Sequence, residues 1–178
     1  MTPLLWHEEP ISRGHPRGVF DCGDADLNTY LHKFARQNHE SGGAKTFLAI
    51  DDVSGRVLGF YSVAPAVAEY ERTPEGVRLG LPRHAVPGFR LARLATDRSA
   101  QGNGLGGQLL LAAGKRCLRV AAEVGGVALY IDAKNERVAA WYASFGAQRL
   151  LGETIATQIP MVLPLKTIAA VLTAAGKL

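Results

Sequence analysis

Little in this sequence can cross-link a chain or hold a metal. Its 178 residues include two cysteines, Cys22 and Cys117, which stand far apart and outside any CxxC or Cys/His cluster. A disulfide framework and a structural zinc site are therefore excluded. The five histidines, His7, His15, His32, His39 and His84, show no metal-ligand spacing and read as surface or capping residues. No apolar run approaches the roughly 18 residues of a spanning helix. The stretch from Met1 to Pro10 carries Trp6, His7, Glu8 and Glu9. It lacks the cationic start and apolar run of a signal peptide. The expectation is a cytoplasmic chain with no metal and no membrane partner. Internal repeats and low-complexity segments are also missing. What remains is 47% hydrophobic and 20% charged, enough for one domain over residues 1–178 with its own core. Lys and Arg number 20 against 16 Asp and Glu, and the net +4 permits a polyanionic partner without requiring one.

The periodicity predicts a helix over Asp24 to Glu40, with Leu27, Tyr30, Leu31, Phe34 and Ala35 on one face and Asp24 as N-cap. Strands are expected over Thr46 to Ile50 and Arg56 to Ala64, joined as an antiparallel hairpin. Pro65 to Gly88, broken by Pro74, Gly76, Gly80, Pro82 and Pro87, reads as irregular. A third strand spans Phe89 to Thr96. A long apolar helix from about Leu105 to Val124 ends at Gly125-Gly126, and the buried strand Val127 to Ala133 follows. After it come a short helix Asn135 to Ser144, strands Ala147 to Leu150 and Pro160 to Leu163, and a last helix Leu165 to Ala175. Strands alternate with helices in the second half only, which places a parallel crossover there. The fold class is α/β: a single mixed, mostly antiparallel sheet with a parallel β-α-β crossover and helices on both faces.

Glycine is the residue in surplus, and the surplus has an address. Gln101-Gly102-Asn103-Gly104-Leu105-Gly106-Gly107 places four glycines in six residues between a strand and the long helix. Unpaired helix amides with close-approaching glycine backbone make an anion site. Gly102, Gly104 and Gly107 match the dinucleotide spacing G-x-G-x-x-G, but the motif lies past the midpoint of the chain. No acidic residue closes the next strand where a ribose would need it, since Asp132 lies too far on. No Lys-Ser/Thr follows, so a P-loop is excluded as well.

Gln101, Gly104 and Gly106 instead fit Q/R-x-x-G-x-G, and Asn135, Tyr142 and Gly146 fit the helix N-x-x-A-x-x-x-Y-x-x-x-G, with Val138 in place of the alanine. On these motifs the chain resembles the GNAT N-acetyltransferases over roughly Phe47 to Leu150. A narrower resemblance covers nearly the whole chain. It rests on Phe20-Asp21-Cys22-Gly23, Gly59-Phe60-Tyr61-Ser62, Leu81-Pro82-Arg83, Ala92 to Asp97, Ile131-Asp132-Ala133-Lys134 and Met161 to Ile168. These segments resemble the TacT-type toxins of bacterial toxin–antitoxin modules, which acetylate the α-amine of an amino acid carried on tRNA and so block translation. The resemblance implies acetyl-CoA as acetyl donor, aminoacyl-tRNA as substrate, a ribbon-helix-helix antitoxin as partner and a homodimer. It assigns the pyrophosphate to Gln101, Gly102, Asn103, Gly104, Leu105, Gly106 and Gly107. The pantetheine falls to the strand Leu94, Ala95 and Thr96 with Asn135 and Phe145.

Transfer from a thioester to an amine needs a neutral amine, a polarised carbonyl and a proton for the leaving sulfur. The resemblance makes Tyr142 the proton donor; spacing alone leaves open a core tyrosine beside Trp141 and Phe145. The three strands from Thr46 to Thr96 carry no Asp or Glu. That suits an α-amine, whose pKa near ~8 is closer to neutrality than the ~10.4 of lysine. Arg72, Arg78, Arg83, Arg90 and Arg93 stand against Glu75 alone between residues 72 and 93, a net +4 that equals the whole chain's. Arg93, Arg78 and Arg83, with Lys33, Arg36 and Lys45, are candidates for holding tRNA. Two alternatives remain: a GNAT acting on a protein N-terminus or small amine, and a catalytically silent module that binds RNA or protein.

Overall fold

A computed structural model describes residues 2–153 and 157–178. The strands are β1 (Trp6–Pro10), β2 (Lys45–Asp51), β3 (Val57–Ala68), β4 (Val86–Thr96), β5 (Ala128–Ala133), β6 (Gln148–Arg149) and β7 (Ile159–Pro164). They form a seven-stranded sheet in the order β1-β2-β3-β4-β5-β7-β6. β4 and β5 run parallel, with Gly88 opposite Ala128 and Leu91 opposite Ile131. β1–β2, β2–β3, β5–β7 and β6–β7 are antiparallel. The helix α4 (Leu105–Val124) makes the crossover between the parallel pair. This is the mixed sheet the sequence predicts.

The chain divides into two compact units, residues Met1–Ala64 with Ala92–Ala113, and Pro65–Leu91 with Gly114–Leu178. In the first, Ile11, Phe20, Leu31, Ala35, Leu48, Ile50, Val57, Phe60 and Ala95 form the core. Phe20 meets Phe60 edge-on at 5.6 Å. Each such side chain stabilises by about 1.5–3 kcal/mol on burial. Gly59 has a specific reason to be glycine. A Cβ there would lie 2.8 Å from Leu109 and 2.9 Å from the Ala95 carbonyl. Its absence lets α4 seat closely on β3.

In the second unit Val77, Ala128, Tyr130 and Val162 form a smaller cluster. Tyr130 donates its hydroxyl to the Val86 carbonyl at 2.7 Å, and burial pushes its phenol up to about 12. Gly114 accommodates Ile168 of α6 (Leu165–Ala174), two of whose carbons a Cβ would meet at 2.7 Å.

Three sequence expectations are corrected. The first helix is not one uninterrupted α-helix. It consists of α1 (Ala25–Thr29), a π-helical turn Tyr30–Phe34 and α2 (Ala35–Ser41). The wide turn adds a residue to the period. Leu31 and Ala35 stay fully buried while Phe34, predicted on the apolar face, is 54% exposed. Asp24 does cap α1, accepting from the amides of Asp26 and Leu27.

The stretch read as irregular contains the end of β3, the start of β4 and a short helix α3 (Glu75–Arg78). Pro65 and Pro87 lie in strands at exposed positions. Finally, β1 carries no strand signal in its sequence. It is an edge strand, where charge and proline are tolerated. His7 pairs with Asp52 and Glu9, Glu9 with His15, and Tyr61 donates to Glu8 at 2.6 Å.

Candidate active site

The end of β4 leads into the glycine loop through Asp97. This carboxylate is 4% exposed and accepts from the Asp21 amide at 2.9 Å and from the Ser99 amide and hydroxyl at 2.9 and 2.6 Å. Burial works to raise its pKa. The hydrogen bonds outweigh burial and hold it below the usual range. The Asp97 amide donates to the Leu58 carbonyl of β3, and the Arg98 amide to Asp21. The loop therefore starts from a point fixed on three sides. Sequence reading gave Asp97 no role, because a single acid after a strand has no periodic signal.

Within the loop, the Gln101 side chain donates to the carbonyls of Cys22 and Thr96, each at 3.0 Å. Asn103 donates to the carbonyls of Ala100 and Gln101 at 3.3 and 3.2 Å. Both side chains point back into the protein. Gly102 and Gly104 each adopt φ +78°, and a Cβ on either would meet nothing within 4 Å. These glycines are required by backbone conformation and leave the space before them clear. The first amide of α4 bonded to a carbonyl behind it is Gln108, to Gly104 at 3.2 Å. The amides of Leu105, Gly106 and Gly107 therefore lack intrahelical partners, and no acid stands in the first turn. Trp6 reaches Gln108 at 2.8 Å and ties β1 to this end of α4. Of the strand residues assigned to the same ligand, Ala95 is buried while Leu94 and Thr96 are half-buried.

The second unit carries the tyrosine. It lies on α5 (Glu136–Ala143), whose N-cap is Asn135, accepting from the Val138 amide at 3.0 Å. Tyr142 is 7% exposed, and burial pushes its phenol well above the ordinary value. Trp141 stands edge-on to both Tyr142 and Phe145, each at 4.9 Å. The phenol is thus neutral, keeps its proton at Oη, and stands against the Trp141 ring of its own helix.

The basic residues are less free than counting suggests. Glu71, just before the counted segment, takes Arg83 at 2.6 Å and Arg78 at 3.7 Å, and both arginines lie over the Tyr70 ring. Arg90 pairs with Asp132 at 2.5 Å, and Arg72 donates to the Leu151 carbonyl. In the first unit Arg36 pairs with Glu40, and Lys45 donates to the His39 carbonyl. Arg93 is exposed and lies over the Tyr30 ring at 4.7 Å, and Lys33 is exposed. No group of three or more His, Cys, Asp or Glu that could hold a metal occurs among the described residues, and none of their helices is long and apolar enough to cross a membrane.

The family model described as Acetyltransferase (GNAT) family matches residues 12–147. A tRNA-acetylating toxin of Mycobacterium tuberculosis is 39% identical over 126 residues, 71% of this chain and 74% of that protein. The structure of AtaT complexed with acetyl-methionyl-tRNAfMet matches with a TM-score of 0.85 at 26% identity, covering 94% of this chain and 99% of that one. A tyrosine-to-phenylalanine mutant of AtaT bound to the C-terminus of the antitoxin AtaR and acetyl-CoA matches with a TM-score of 0.78 at 26% identity, over 94% and 98% of the two chains.

Proposed function

The chain belongs to the GNAT family of acetyltransferases, and on that premise we propose that it transfers acetyl from acetyl-CoA to the α-amine of an amino acid carried on tRNA. The observation that carries this reading is the loop before α4. Two left-handed glycines, inward-turned Gln101 and Asn103 side chains and an acid-free helix start leave backbone amides available to a diphosphate. Gln101 through Gly107 hold the pyrophosphate, Gln101 and Asn103 through their backbone. Leu94, Ala95 and Thr96 align the pantetheine, and the resemblance gives Asn135 and Phe145 a share in the same ligand. Acetyl-CoA supplies the acetyl group as an activated thioester. Tyr142 holds the proton at Oη that a departing thiolate needs, and its high pKa keeps it protonated at neutral pH.

The aminoacyl acceptor is supported by the 39% identical tRNA-acetylating toxin and by the tRNA complex of AtaT. An aminoacyl ester has an amine near neutrality that needs little help to lose its proton. This agrees with the absence of Asp and Glu from β3 and β4, although β2 ends in Asp51 and β1 carries Glu8 and Glu9. The reading treats residues 1–178 as one acetyltransferase domain working in the cytoplasm. It includes a ribbon-helix-helix antitoxin as partner, supported by the AtaT–AtaR complex, and a homodimer, carried by family analogy alone. Among the basic residues it gives Lys33 and Arg93 the contact with RNA ahead of Arg78, Arg83 and Arg36, whose charges meet Glu71 and Glu40; Arg93 is held by the Ala92 carbonyl and the Tyr30 ring, which leave its charge uncancelled.

The test is incubation of charged tRNA with labelled acetyl-CoA, followed by mass spectrometry of the tRNA-linked amino acids. Label on the α-amine is expected. Tyr142→Phe should lower the rate by about 10²–10⁴-fold while acetyl-CoA still binds by calorimetry. No label on tRNA under any charging condition would overturn the acceptor assignment.

A further inference from the structure

The π-helical turn Tyr30–Phe34 breaks the helical period and brings an aromatic ring out of the core. Phe34 is 54% exposed in a stretch whose neighbours Leu31 and Ala35 are fully buried. The turn is held from outside its own helix. Arg17 Nη1 donates to the carbonyls of Leu31 and His32 at 3.0 and 3.3 Å, and His32 Nε2 pairs with the Phe20 carbonyl at 2.9 Å. Tyr30, which opens the turn, stacks on Phe60 at 6.2 Å and accepts from Asn38 at 3.2 Å. Over the Tyr30 ring lies the Arg93 guanidinium from β4. Lys33, next to Phe34, is exposed. The turn thus gathers an unpacked aromatic ring, a flexible cation and a guanidinium fixed by stacking. A segment serving only the core would gain by burying Phe34, as the helical period would otherwise do.

We propose that this turn is a docking platform for single-stranded RNA, in which Phe34 stacks a base and Lys33 and Arg93 meet the flanking phosphates. The inference rests on the aminoacyl-tRNA reading for its biological ligand, the unpaired 3′ end of a charged tRNA. Its chemistry is general. Bases present π-faces that stack on aromatic side chains without sequence preference, and lysine and arginine neutralise the backbone beside them. Arg17 is a positioning residue: it touches no RNA and acts by holding the turn that exposes Phe34.

The experiment compares wild type with Phe34→Ala, Phe34→Trp and Arg17→Met. The readouts are anisotropy with uncharged tRNA and with a short single-stranded RNA, and acetylation kinetics on charged tRNA and on an amino acid methyl ester. Phe34→Ala should weaken RNA binding and raise KM for charged tRNA by about tenfold, the order of one lost stacking contact. It should leave kcat and the rate on the methyl ester unchanged, with the melting temperature retained. Phe34→Trp should restore binding, and Arg17→Met should reproduce the Phe34→Ala profile. Replacing Lys33 or Arg93 by alanine should reduce the dependence of binding on salt. Equal RNA binding by wild type and Phe34→Ala overturns the platform, as does a wild type that binds neither RNA. A Phe34→Ala variant that binds RNA normally but escapes antitoxin neutralisation assigns the face to protein and overturns it too. If wild type binds RNA and loses that binding in Phe34→Ala but labels no charged tRNA, the acceptor assignment falls and the platform stands.

Discussion

Asp97 shows how one buried carboxylate can set the start of a glycine-rich loop. One oxygen accepts from Asp21 and the other from Ser99. Asparagine would turn an amide donor toward one of these donors. Asp97→Asn should therefore cost about 1–3 kcal/mol at neutral pH, read by urea unfolding. The pH dependence follows from the direction of the shift. The folded carboxyl lies below its unfolded value near ~3.9, so its contribution is complete above that value and fades as pH falls through the folded one. The difference between wild type and Asp97→Asn should shrink as pH falls below the unfolded value of about 3.9, and a constant difference would refute the account. The bonds of Asp97 to Ser99 are a local cap, but the Asp21 amide it also holds lies 76 residues away, and no local pattern marks that partner. Tyr142, by contrast, was legible through its spacing from Asn135, and the fold adds its burial and its aromatic neighbours.

At the scale of elements, the loop and β3 use glycine in two physically different ways. Gly104 needs its positive φ and faces open space, whereas Gly59 would drive a Cβ into Leu109 and the Ala95 carbonyl. Gly104→Ala should cost about 1–2 kcal/mol through backbone strain and weaken acetyl-CoA binding in calorimetry. Gly59→Ala should cost about 1–3 kcal/mol through overpacking, shown as a lower melting temperature, with a smaller effect on binding per unit of stability lost. Equal ratios of binding loss to stability loss would show that the two glycines are not distinct. The span of α4 was legible to the residue, because its apolar period and its closing Gly125-Gly126 agree. The π-turn was not. A period of 3.6 cannot anticipate an extra residue whose carbonyls are held by Arg17, which lies outside the helix. The strand β1 escaped for a related reason: edge strands are selected for charge, which hides alternation.

For the whole molecule, acidity and charge decide the working range. If the acceptor is an aminoacyl ester and β3 and β4, which carry no Asp or Glu, supply no carboxylate base, the transfer rate should rise with pH as the α-amine loses its proton, levelling near ~8. The raised phenol of Tyr142 predicts no falling limb below about pH 10, its ordinary value. A fall between pH 7 and 9 would contradict its role as the proton source. The net +4 was readable as a number, but its placement was not. Pairing with Glu71 and Asp132 neutralises Arg78, Arg83 and Arg90, whereas Arg93, held by the Ala92 carbonyl and the Tyr30 ring, and the exposed Lys33 keep their charge. Apart from β1 and α3, the sequence by itself determined the element order, the crossover and the glycine loop, because these depend on local spacing and backbone freedom. Only the tertiary structure decided which charges are neutralised, which aromatic ring faces solvent and which carboxylate anchors the loop. Those outcomes depend on partners distant in the chain, whose meeting no local pattern encodes.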